Sequence, residues 1–253
     1  MAARVLFIHG MFQTGRSWAR WQDRFKKSGI ESGAPNWPGR DGQPSALRAR
    51  PDPRLRTLRL GDVVAQFEAL ARAEPEPPVL IGHSMGGLVV QILLSRGIGR
   101  LGIALNPAPP FGVRSFAFSH LFANRRVLWP GSSPIAPSFE WWRYAFWHTG
   151  GDAEVRAAFD AEVVPESRLV GKAPLGPESR VDFRARRPPL LLTAGALDRI
   201  IPASLTRKNA AAYEVAASET ELHEFAGRTH FLCGQPGWEE VADRCLAFIA
   251  RRA

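Results

Sequence analysis

The sequence predicts an α/β protein built on a doubly wound, mostly parallel sheet with helices on both faces. Short apolar runs at residues 4–8, 79–81 and 190–195 have the length and composition of buried strands. Stretches with amphipathic helical spacing, such as residues 60–73, lie between these runs. Because alternating strands and helices imply right-handed crossover connections, we expect the strands to run parallel and to be covered on both faces.

Length and composition bound the class of protein. The chain has 253 residues, of which 45% are hydrophobic, enough for one large domain with a substantial core. It has no apolar run long enough to cross a membrane, and the apolar stretch at the N-terminus is too short for a secretory signal. The two cysteines, Cys233 and Cys245, form no disulfide framework and are expected to be free thiols. These features predict a cytoplasmic protein without a membrane span.

The net charge of +9 raises the question of a nucleic-acid partner. Of the 33 basic residues, four are lysines and the rest are arginines dispersed along the chain. None of the usual nucleic-acid-binding motifs is present, so we predict no such partner. The histidines lack the paired spacing of metal ligands, and the sequence has no cofactor-binding motif. We therefore predict neither a bound metal nor a cofactor.

The predicted elements follow one another in a regular order up to the middle of the chain. They are a strand at 4–8, a helix at 17–27 capped by Ser17, a weak strand at 30–37, an irregular loop at 38–59, a helix at 60–73, a strand at 79–81, a helix that ends at Gly97, and a strand at 100–105. After an aromatic-rich stretch at 108–187 without a comparable strand, the pattern resumes with a strand at 190–195, a helix at 203–213, a strand at 220–225 and a helix at 238–250. The middle stretch is therefore an insertion into one α/β domain.

The most informative motif lies where the strand at 79–81 gives way to a helix. Within this turn, Gly82, Ser84 and Gly86 occupy every second position and form the pattern Gly-x-Ser-x-Gly. Such a tight turn forces its central residue toward positive φ, and the flanking glycines let the helix pack close to the strand. The Ser84 hydroxyl is therefore expected to stand exposed at the strand end, beside a helix N-terminus that can stabilise an anion. This arrangement is typical of a nucleophilic serine.

A serine nucleophile needs a base to take its proton, and that base needs an orienting carboxylate. In doubly wound sheets, functional groups lie on loops after the carboxyl ends of strands. Asp198 follows the strand at 190–195 and His230 follows the strand at 220–225, which gives the chain order Ser, Asp, His. The other candidates fit less well, because Asp160 and Asp182 follow no strand, His223 lies within one, His120 and His148 lie in the insertion, and His9 and His83 are expected to be structural.

The chain resembles the α/β-hydrolase fold enzymes over nearly its whole length, on the residues His9-Gly10-Met11, Gly82-His83-Ser84-Met85-Gly86-Gly87, Asp198 and His230. The resemblance implies that Ser84 is the nucleophile, His230 the general base and Asp198 the carboxylate that orients it. It also implies an oxyanion hole formed by the backbone N–H groups of Met11 and Met85, whose side chains would line an apolar acyl pocket.

Two departures from the family pattern narrow these expectations. His9 lies too near the start of the chain for the antiparallel hairpin that precedes this strand in many members, which implies a sheet of about six parallel strands. Ser84 stands where dehalogenases and epoxide hydrolases of the family carry aspartate, and Phe231 stands where its hydroxynitrile lyases carry lysine. Both differences argue against those activities.

The insertion at 108–187 would then be a helical lid or cap over the site, while residues 1–107 and 188–253 form the core domain. We expect most of its aromatic side chains to form the lid's own core and a few to face substrate. The candidates for the wall of an apolar substrate pocket are Phe12, Trp141, Trp142, Phe146 and Trp147.

These features predict a serine hydrolase that cleaves small-molecule carboxylic esters with an apolar or aromatic moiety, through an acyl-enzyme. A lactonase, a thioesterase, a carbon–carbon bond hydrolase or a perhydrolase-type haloperoxidase would use the same triad. A non-catalytic ligand-binding protein that reuses the fold is the alternative from another class. Natural substrate and oligomeric state are left open, because fold and triad do not encode them.

Overall fold

The computed structural model describes residues 4–215 and 217–252, which contain one six-stranded sheet with every strand pair parallel. The strands are β1 (Val5–Ile8), β2 (Ser32–Gly33), β3 (Val79–His83), β4 (Leu101–Leu105), β5 (Leu190–Gly195) and β6 (Thr220–Phe225). Their order across the sheet is β2-β1-β3-β4-β5-β6. The predicted doubly wound parallel sheet is confirmed.

Helices connect the strands. They are α1 (Ala19–Lys27), α2 (Pro44–Ala49), α3 (Leu60–Ala73), α4 (Met85–Ser95), α5 (Phe118–Leu128), α6 (Phe139–Ala145), α7 (Asp152–Glu162), α8 (Arg168–Lys172), α9 (Ala203–Ala212) and α10 (Trp238–Ala250). Short 3-10 helices occupy Gly15–Trp18, Pro53–Arg56, Ala173–Leu175 and Pro177–Ser179. Within the described ranges, none of these helices has the length and apolar character that a membrane crossing requires.

The four central strands β1, β3, β4 and β5 are buried on both faces. Successive side chains of a strand point to opposite sides of the sheet, so each of these strands contributes to two apolar layers. In β1, Val5 and Phe7 belong to an apolar cluster with α1 and α10. Leu6 and Ile8 belong to a second cluster that contains α3, α4 and the aromatic residues of the insertion. The strand residues therefore hold helices on both faces, as a doubly wound fold requires.

The two cysteines are free and buried, which confirms the prediction of free thiols. Cys233 and Cys245 both lie in the cluster formed with α1 and α10. Burial raises the pKa of each thiol well above its ordinary value, because the charged thiolate is poorly solvated there.

The structure differs from the predicted elements between β1 and α3. The predicted strand at 30–37 is reduced to two paired residues, Ser32–Gly33. The predicted irregular loop at 38–59 instead contains α2 and a 3-10 helix, each of which begins with proline. Proline suits a first helical position because its fixed φ matches the helix and its missing N–H is not needed there. Ser17 does not cap α1, since it lies inside a 3-10 helix that Thr14 caps.

The segment between β4 and β5, here called the cap, contains α5 to α8 and no strand among its described residues. An isolated antiparallel bridge joins Ile135 to Glu166. Many cap aromatics join the same apolar cluster as α3 and α4. The cap therefore packs on the core as a helical layer.

Candidate active site

Ser84 lies in the turn between β3 and α4, at the carboxyl end of the sheet. Its backbone has φ 54° and ψ −117°, the strained conformation that the Gly-x-Ser-x-Gly spacing predicts. A Cβ on Gly82 would lie 2.2 Å from the Gly86 carbonyl oxygen, and a Cβ on Gly86 would lie 2.2 Å from the Ile8 carbonyl oxygen. Strand β2 lies on one side of β1 and β3 lies on the other, so the strand order reverses between β1 and β3. Doubly wound sheets bind ligands at the carboxyl ends of the strands at such a reversal, which is where this turn lies.

Ser84, His230 and Asp198 form one hydrogen-bonded chain. Nε2 of His230 lies 3.0 Å from Oγ of Ser84, and Nδ1 of His230 lies 2.6 Å from Oδ2 of Asp198. Because an ionised carboxylate only accepts hydrogen bonds, Nδ1 carries the proton and the Nε2 lone pair faces the serine hydroxyl. The Asp198 and His230 side chains are fully buried. The arrangement can take a proton from Ser84.

The Asp198 carboxylate is fixed by its own loop. Its Oδ1 accepts hydrogen bonds from the backbone N–H groups of Ile200 and Ile201, each at 2.8 Å. Oδ2 is therefore available to accept the hydrogen bond from Nδ1 of His230. These two amides hold the carboxylate in the orientation that the imidazole needs.

Asn106 joins the two loops that carry the histidine and the aspartate. Its Nδ2 donates to the Thr229 carbonyl oxygen at 3.0 Å, and its Oδ1 accepts from the Gly195 N–H at 2.7 Å. Asn106 was not among the predicted site residues. Its position directly after β4 could have indicated a role, because functional groups in such sheets lie at the carboxyl ends of strands.

The predicted oxyanion donors lie on the two loops that meet at Ser84. Met85 is the first residue of α4, so its N–H has no acceptor within the helix. The Met11 N–H makes no hydrogen bond within the part of the chain that the structure describes. Gly10 lets its loop approach the serine, because a Cβ there would lie 3.0 Å from the Ser84 Cβ. Two free amides beside a nucleophile can stabilise a developing oxyanion.

Phe12, the next residue along, ties the oxyanion loop to the cap. Its φ is 65°, a strained value for a residue other than glycine. Its carbonyl oxygen accepts from the Val164 N–H at 3.0 Å, and its N–H lies 3.4 Å from Oε2 of Glu166. Glu166 is fully buried, is ion-paired with buried Arg40, and also accepts from the Ser167 N–H. The ion pair therefore anchors the loop, and neither partner was a predicted site residue.

His9 and His83 are buried beside the site and have structural partners. Nε2 of His9 accepts from the Trp37 N–H at 3.1 Å, and burial lowers the pKa of His9 to about 3. Nε2 of His83 lies 2.8 Å from the His230 carbonyl oxygen, and Nδ1 lies 3.0 Å from Oε1 of Gln13. Burial also lowers the pKa of His83 well below its ordinary value. Burial thus disfavours the charged form of both rings, and their polar partners fit the predicted structural roles.

Gln13 extends this network to a titratable group in the cap. Its Nε2 donates to Oε2 of Glu162, the last residue of α7, at 3.4 Å. Burial raises the pKa of Glu162 to about 7. A carboxyl group that titrates near neutrality is thus linked through Gln13 and His83 to the backbone of His230.

A cavity of about 430 Å³ lies beside Ser84 and His230, between the core and the cap. Met11, Met85 and three of the five predicted pocket residues line it, namely Phe12, Trp141 and Phe146. Other lining side chains are mostly apolar and include Val113, Phe116, Leu121, Val127, Leu128, Leu175, Ile200 and Ile201. The cavity suits an apolar group attached to the reacting carbonyl.

Trp142 and Trp147 do not line the cavity, so their prediction as pocket walls was wrong. Trp142 stacks on Phe146 with ring centroids 5.4 Å apart and meets Phe231 edge-on at 5.3 Å. Trp147 packs against Phe231 at 5.6 Å. Adjacent residues on a helix point to different sides, so Trp141 faces the cavity while Trp142 faces the core.

Among the described residues, none of the remaining candidates for base or carboxylate forms a hydrogen bond with the Ser84 hydroxyl. Asp160 and Asp182 are exposed, and His223 lies in β6. His120 lines the cavity, and its Nδ1 lies 2.6 Å from the Ile200 carbonyl oxygen. In residues 4–215 and 217–252, no group of three or more His, Cys, Asp or Glu side chains is placed to hold a metal ion.

Comparisons with known proteins agree with this fold. No curated protein sequence matches the chain significantly. The structure is similar to that of a monoacylglycerol lipase from Paleococcus ferrophilus, with a TM-score of 0.71 and 18% identity, covering 98% of this chain and 94% of that one. It is also similar to a methylesterase from Arabidopsis (TM-score 0.70, 13% identity, 98% and 99% covered) and to polyneuridine aldehyde esterase (TM-score 0.69, 14% identity, 99% and 100% covered).

At these identities the structural likeness establishes the fold alone. The sequence profile of the Alpha/beta hydrolase family, in contrast, matches residues 5–244, nearly the whole chain. This span includes all three side chains of the Ser84–His230–Asp198 hydrogen-bonded chain. The protein therefore belongs to the alpha/beta hydrolase family.

Proposed function

We propose that the protein is a serine hydrolase that cleaves carboxylic esters through an acyl-enzyme, with Ser84, His230 and Asp198 as its triad. One observation carries the proposal. A strained serine faces an apolar cavity and is hydrogen-bonded to a histidine that a buried, doubly anchored carboxylate orients. This is the geometry that makes a hydroxyl nucleophilic.

The reaction follows from the contacts. Ser84 Oγ attacks the ester carbonyl carbon while Nε2 of His230 takes its proton, and Asp198 stabilises the imidazolium that forms. The N–H groups of Met11 and Met85 hold the oxyanion, and each such donor is worth roughly 3 kcal/mol of the barrier. His230 then protonates the leaving alcohol. In the second half His230 takes a proton from the water that attacks the acyl carbon. It then returns that proton to Ser84 Oγ as the bond to the acyl group breaks and the carboxylic acid leaves.

The substrate class follows from the cavity. Its apolar lining favours esters with an apolar or aromatic moiety, held between Phe12, Trp141 and Phe146. We assign the cap, residues 108–187, as the lid over a core formed by residues 1–107 and 188–253. The esterase and lipase named among the similar structures act on the same class of bond, which supports the choice of ester.

The nucleophile is tested with a serine-directed fluorophosphonate probe. We expect the wild-type protein to be labelled and Ser84→Ala to be unlabelled, with kcat for a p-nitrophenyl ester lowered more than about 1,000-fold. Ser115→Ala is the matched control, because Ser115 also lines the cavity but does not contact His230. It should be labelled like wild type. Labelling that persists in Ser84→Ala would contradict the assignment.

The bond type is tested with a panel of p-nitrophenyl esters of increasing chain length, lactones and acyl thioesters. We expect hydrolysis of the esters, with a preference for medium chains. Activity confined to lactones or thioesters would contradict the ester assignment. Unchanged ligand binding by Ser84→Ala together with an unlabelled wild-type protein would indicate a binding protein instead.

A further inference from the structure

The solvent-exposed surface of the cap carries an unusual number of apolar side chains. Every exposed phenylalanine and tryptophan within the described ranges lies there, and Phe116, Phe118 and Trp129 are 82%, 78% and 72% exposed. We call this surface the outer face and define it by Phe116, Phe118, Leu121, Phe122, Leu128, Trp129 and Leu175. Contiguous apolar patches of this kind on soluble domains mark binding surfaces.

The outer face is continuous with the mouth of the cavity. On α5, Phe118 and Phe122 stand one turn apart with ring centroids 5.7 Å apart, while Ala123 and Val127 on the same helix are buried. Four residues of the outer face also line the cavity that contains Ser84, namely Phe116, Leu121, Leu128 and Leu175. A molecule bound at this face would therefore have a direct apolar path to the serine.

The outer face is also basic. The sequence has no aspartate or glutamate between Glu76 and Glu140, a stretch that includes all of α5. A surface groove beside Trp129 is lined by Arg125, Arg126 and Arg168. These three arginines form no ion pair within the part of the chain that the structure describes. Arg125 and Arg168 donate to backbone carbonyl oxygens and have no carboxylate partner among the described residues. Guanidinium groups without a carboxylate partner, next to exposed aromatic side chains, suit a membrane surface in which lipid phosphates lie above apolar acyl chains.

We propose that the outer face docks on an anionic phospholipid surface. The aromatic side chains would enter the boundary between headgroups and acyl chains, and the arginines would contact lipid phosphates. A second copy of the chain fits less well, because two such faces would bring like charges together. Docking would place the cavity mouth against the lipid, from which an apolar ester reaches Ser84, a step that rests on the proposed function.

The test measures cosedimentation of the full-length Ser84→Ala protein with vesicles, since this protein lacks the proposed nucleophile. Vesicles of phosphatidylcholine alone are compared with vesicles that also contain phosphatidylglycerol. We expect a partition coefficient at least about tenfold higher on the anionic vesicles, with a decrease as salt is raised. In the same background, Phe118→Ser/Trp129→Ser and Arg125→Ala/Arg126→Ala should each lower it at least about tenfold.

The controls alter exposed residues of the same types elsewhere. Leu70→Ser/Leu222→Ser and Arg50→Ala/Arg56→Ala change side chains outside the cap and should bind like the Ser84→Ala parent. The proposal would be overturned if the Ser84→Ala protein partitioned equally onto both vesicle types. It would also be overturned if the control variants lost as much vesicle binding as the outer-face variants. A dimer in vesicle-free solution that the Phe118→Ser/Trp129→Ser substitutions dissociate would overturn it as well, because the face would then hold a second copy.

Hydrolysis is measured separately, with the wild-type protein and a water-soluble short-chain ester. An inactive wild-type protein whose Ser84→Ala form binds anionic vesicles would contradict the proposed function and leave the docking surface in place. An active protein that binds no vesicles would contradict the docking surface alone. Neither Phe118 nor Trp129 lines the cavity, so their variants should hydrolyse the soluble ester at the wild-type rate.

Discussion

The buried Arg40–Glu166 ion pair connects three segments that are distant in the sequence. Arg40 comes from the loop before α2, and Glu166 comes from the cap, 126 residues later. Glu166 also faces the Phe12 N–H, next to the proposed oxyanion donor Met11. Removing one member of a buried pair leaves an uncompensated charge, which costs about 3–5 kcal/mol.

We expect Glu166→Gln to lower the free energy of unfolding by about 3 kcal/mol and to lower kcat for a soluble ester, because the oxyanion loop loses its anchor. Chemical denaturation and steady-state kinetics measure the two effects. In Arg40→Met/Glu166→Met no charge is left unpaired, so this double variant should be more stable than Glu166→Gln. A double variant that is less stable would show that the pair itself stabilises the fold.

Glu162 makes stability depend on pH in a defined direction. Its pKa in the folded protein is about 7, above the ordinary 4.5, so the folded state binds its proton more tightly. The contribution of Glu162 to the free energy of unfolding is therefore fully present below about pH 4.5 and is lost as the pH rises through about 7. Glu162→Gln should match wild type near pH 4.5 and exceed it at pH 8 by on the order of 2 kcal/mol. Denaturant titrations at both pH values check this, with exposed Glu214→Gln as the control; parallel pH profiles for all three proteins would contradict it.

At the level of elements, the contact between α4 and β1 determines where the nucleophile stands. A Cβ on Gly86 would lie 2.2 Å from the Ile8 carbonyl oxygen, a backbone atom that moves only if β1 moves. Helix α4 can therefore approach the sheet only with glycine at this position.

Gly86→Ala should lower the free energy of unfolding by about 3 kcal/mol or more, because the added methyl group forces α4 away from the sheet. Thermal unfolding followed by circular dichroism measures the loss. Gly176→Ala is the matched control, since Gly176 has an ordinary φ of −129° and a Cβ there would lie 4.0 Å from the nearest atom. Its stability should change by less than about 0.5 kcal/mol. Equal stabilities for the two variants would show that the close approach is not required.

The predictable elements are those whose own residues carry the pattern. Strands β3, β4 and β5 are apolar runs buried on both faces, so composition alone identifies them. Strand β2, in contrast, is the dipeptide Ser32–Gly33, which has no apolar pattern and is recognised by its pairing with β1. Helix α2 lies in the stretch predicted as an irregular loop. It begins with Pro44, and proline at a first position favours a helix.

The placement of Ser84, Asp198 and His230 was predictable for a similar reason. Each follows a strand, and parallel strands bring their carboxyl ends to one edge of the sheet. The contacts of Glu166 were not predictable, because they depend on the path of the cap across the core, which no motif in residues 108–187 indicates. The same holds for the choice between Trp141 and Trp142, which depends on the rotation of one short helix.

In the whole molecule, the inner part of the cap is joined to both loops of the site. The Val164 N–H donates to the Phe12 carbonyl oxygen, and the Phe231 N–H donates to the Phe146 carbonyl oxygen, each at 3.0 Å. Trp142, only 1% exposed, packs between cap and core against Phe146 and Phe231. The inner part of the cap and the core should therefore unfold together.

Trp142→Ala should lower the stability of the whole chain by about 3–5 kcal/mol, because it leaves a large cavity between cap and core. For a chain of this length the melting temperature should fall by roughly 10 °C. Tryptophan fluorescence comes from side chains in both cap and core, and far-ultraviolet circular dichroism comes from the helices of both parts and from the sheet. Each signal should show a single transition, and the two midpoints should agree. Trp129→Ala, at a residue 72% exposed, should leave the midpoint within about 2 °C of wild type. Separate midpoints in Trp142→Ala would indicate a cap that unfolds on its own.

The two buried thiols described with the fold have a practical consequence. Cys233 and Cys245 are the only cysteines of the chain, and their raised pKa values and burial keep them from reacting with maleimides in the native protein. The natural sequence is therefore already a background for site-specific labelling. A single Phe118→Cys substitution would carry one environment-sensitive dye on the outer face, and Leu222→Cys would carry the same dye on the edge strand as its reference.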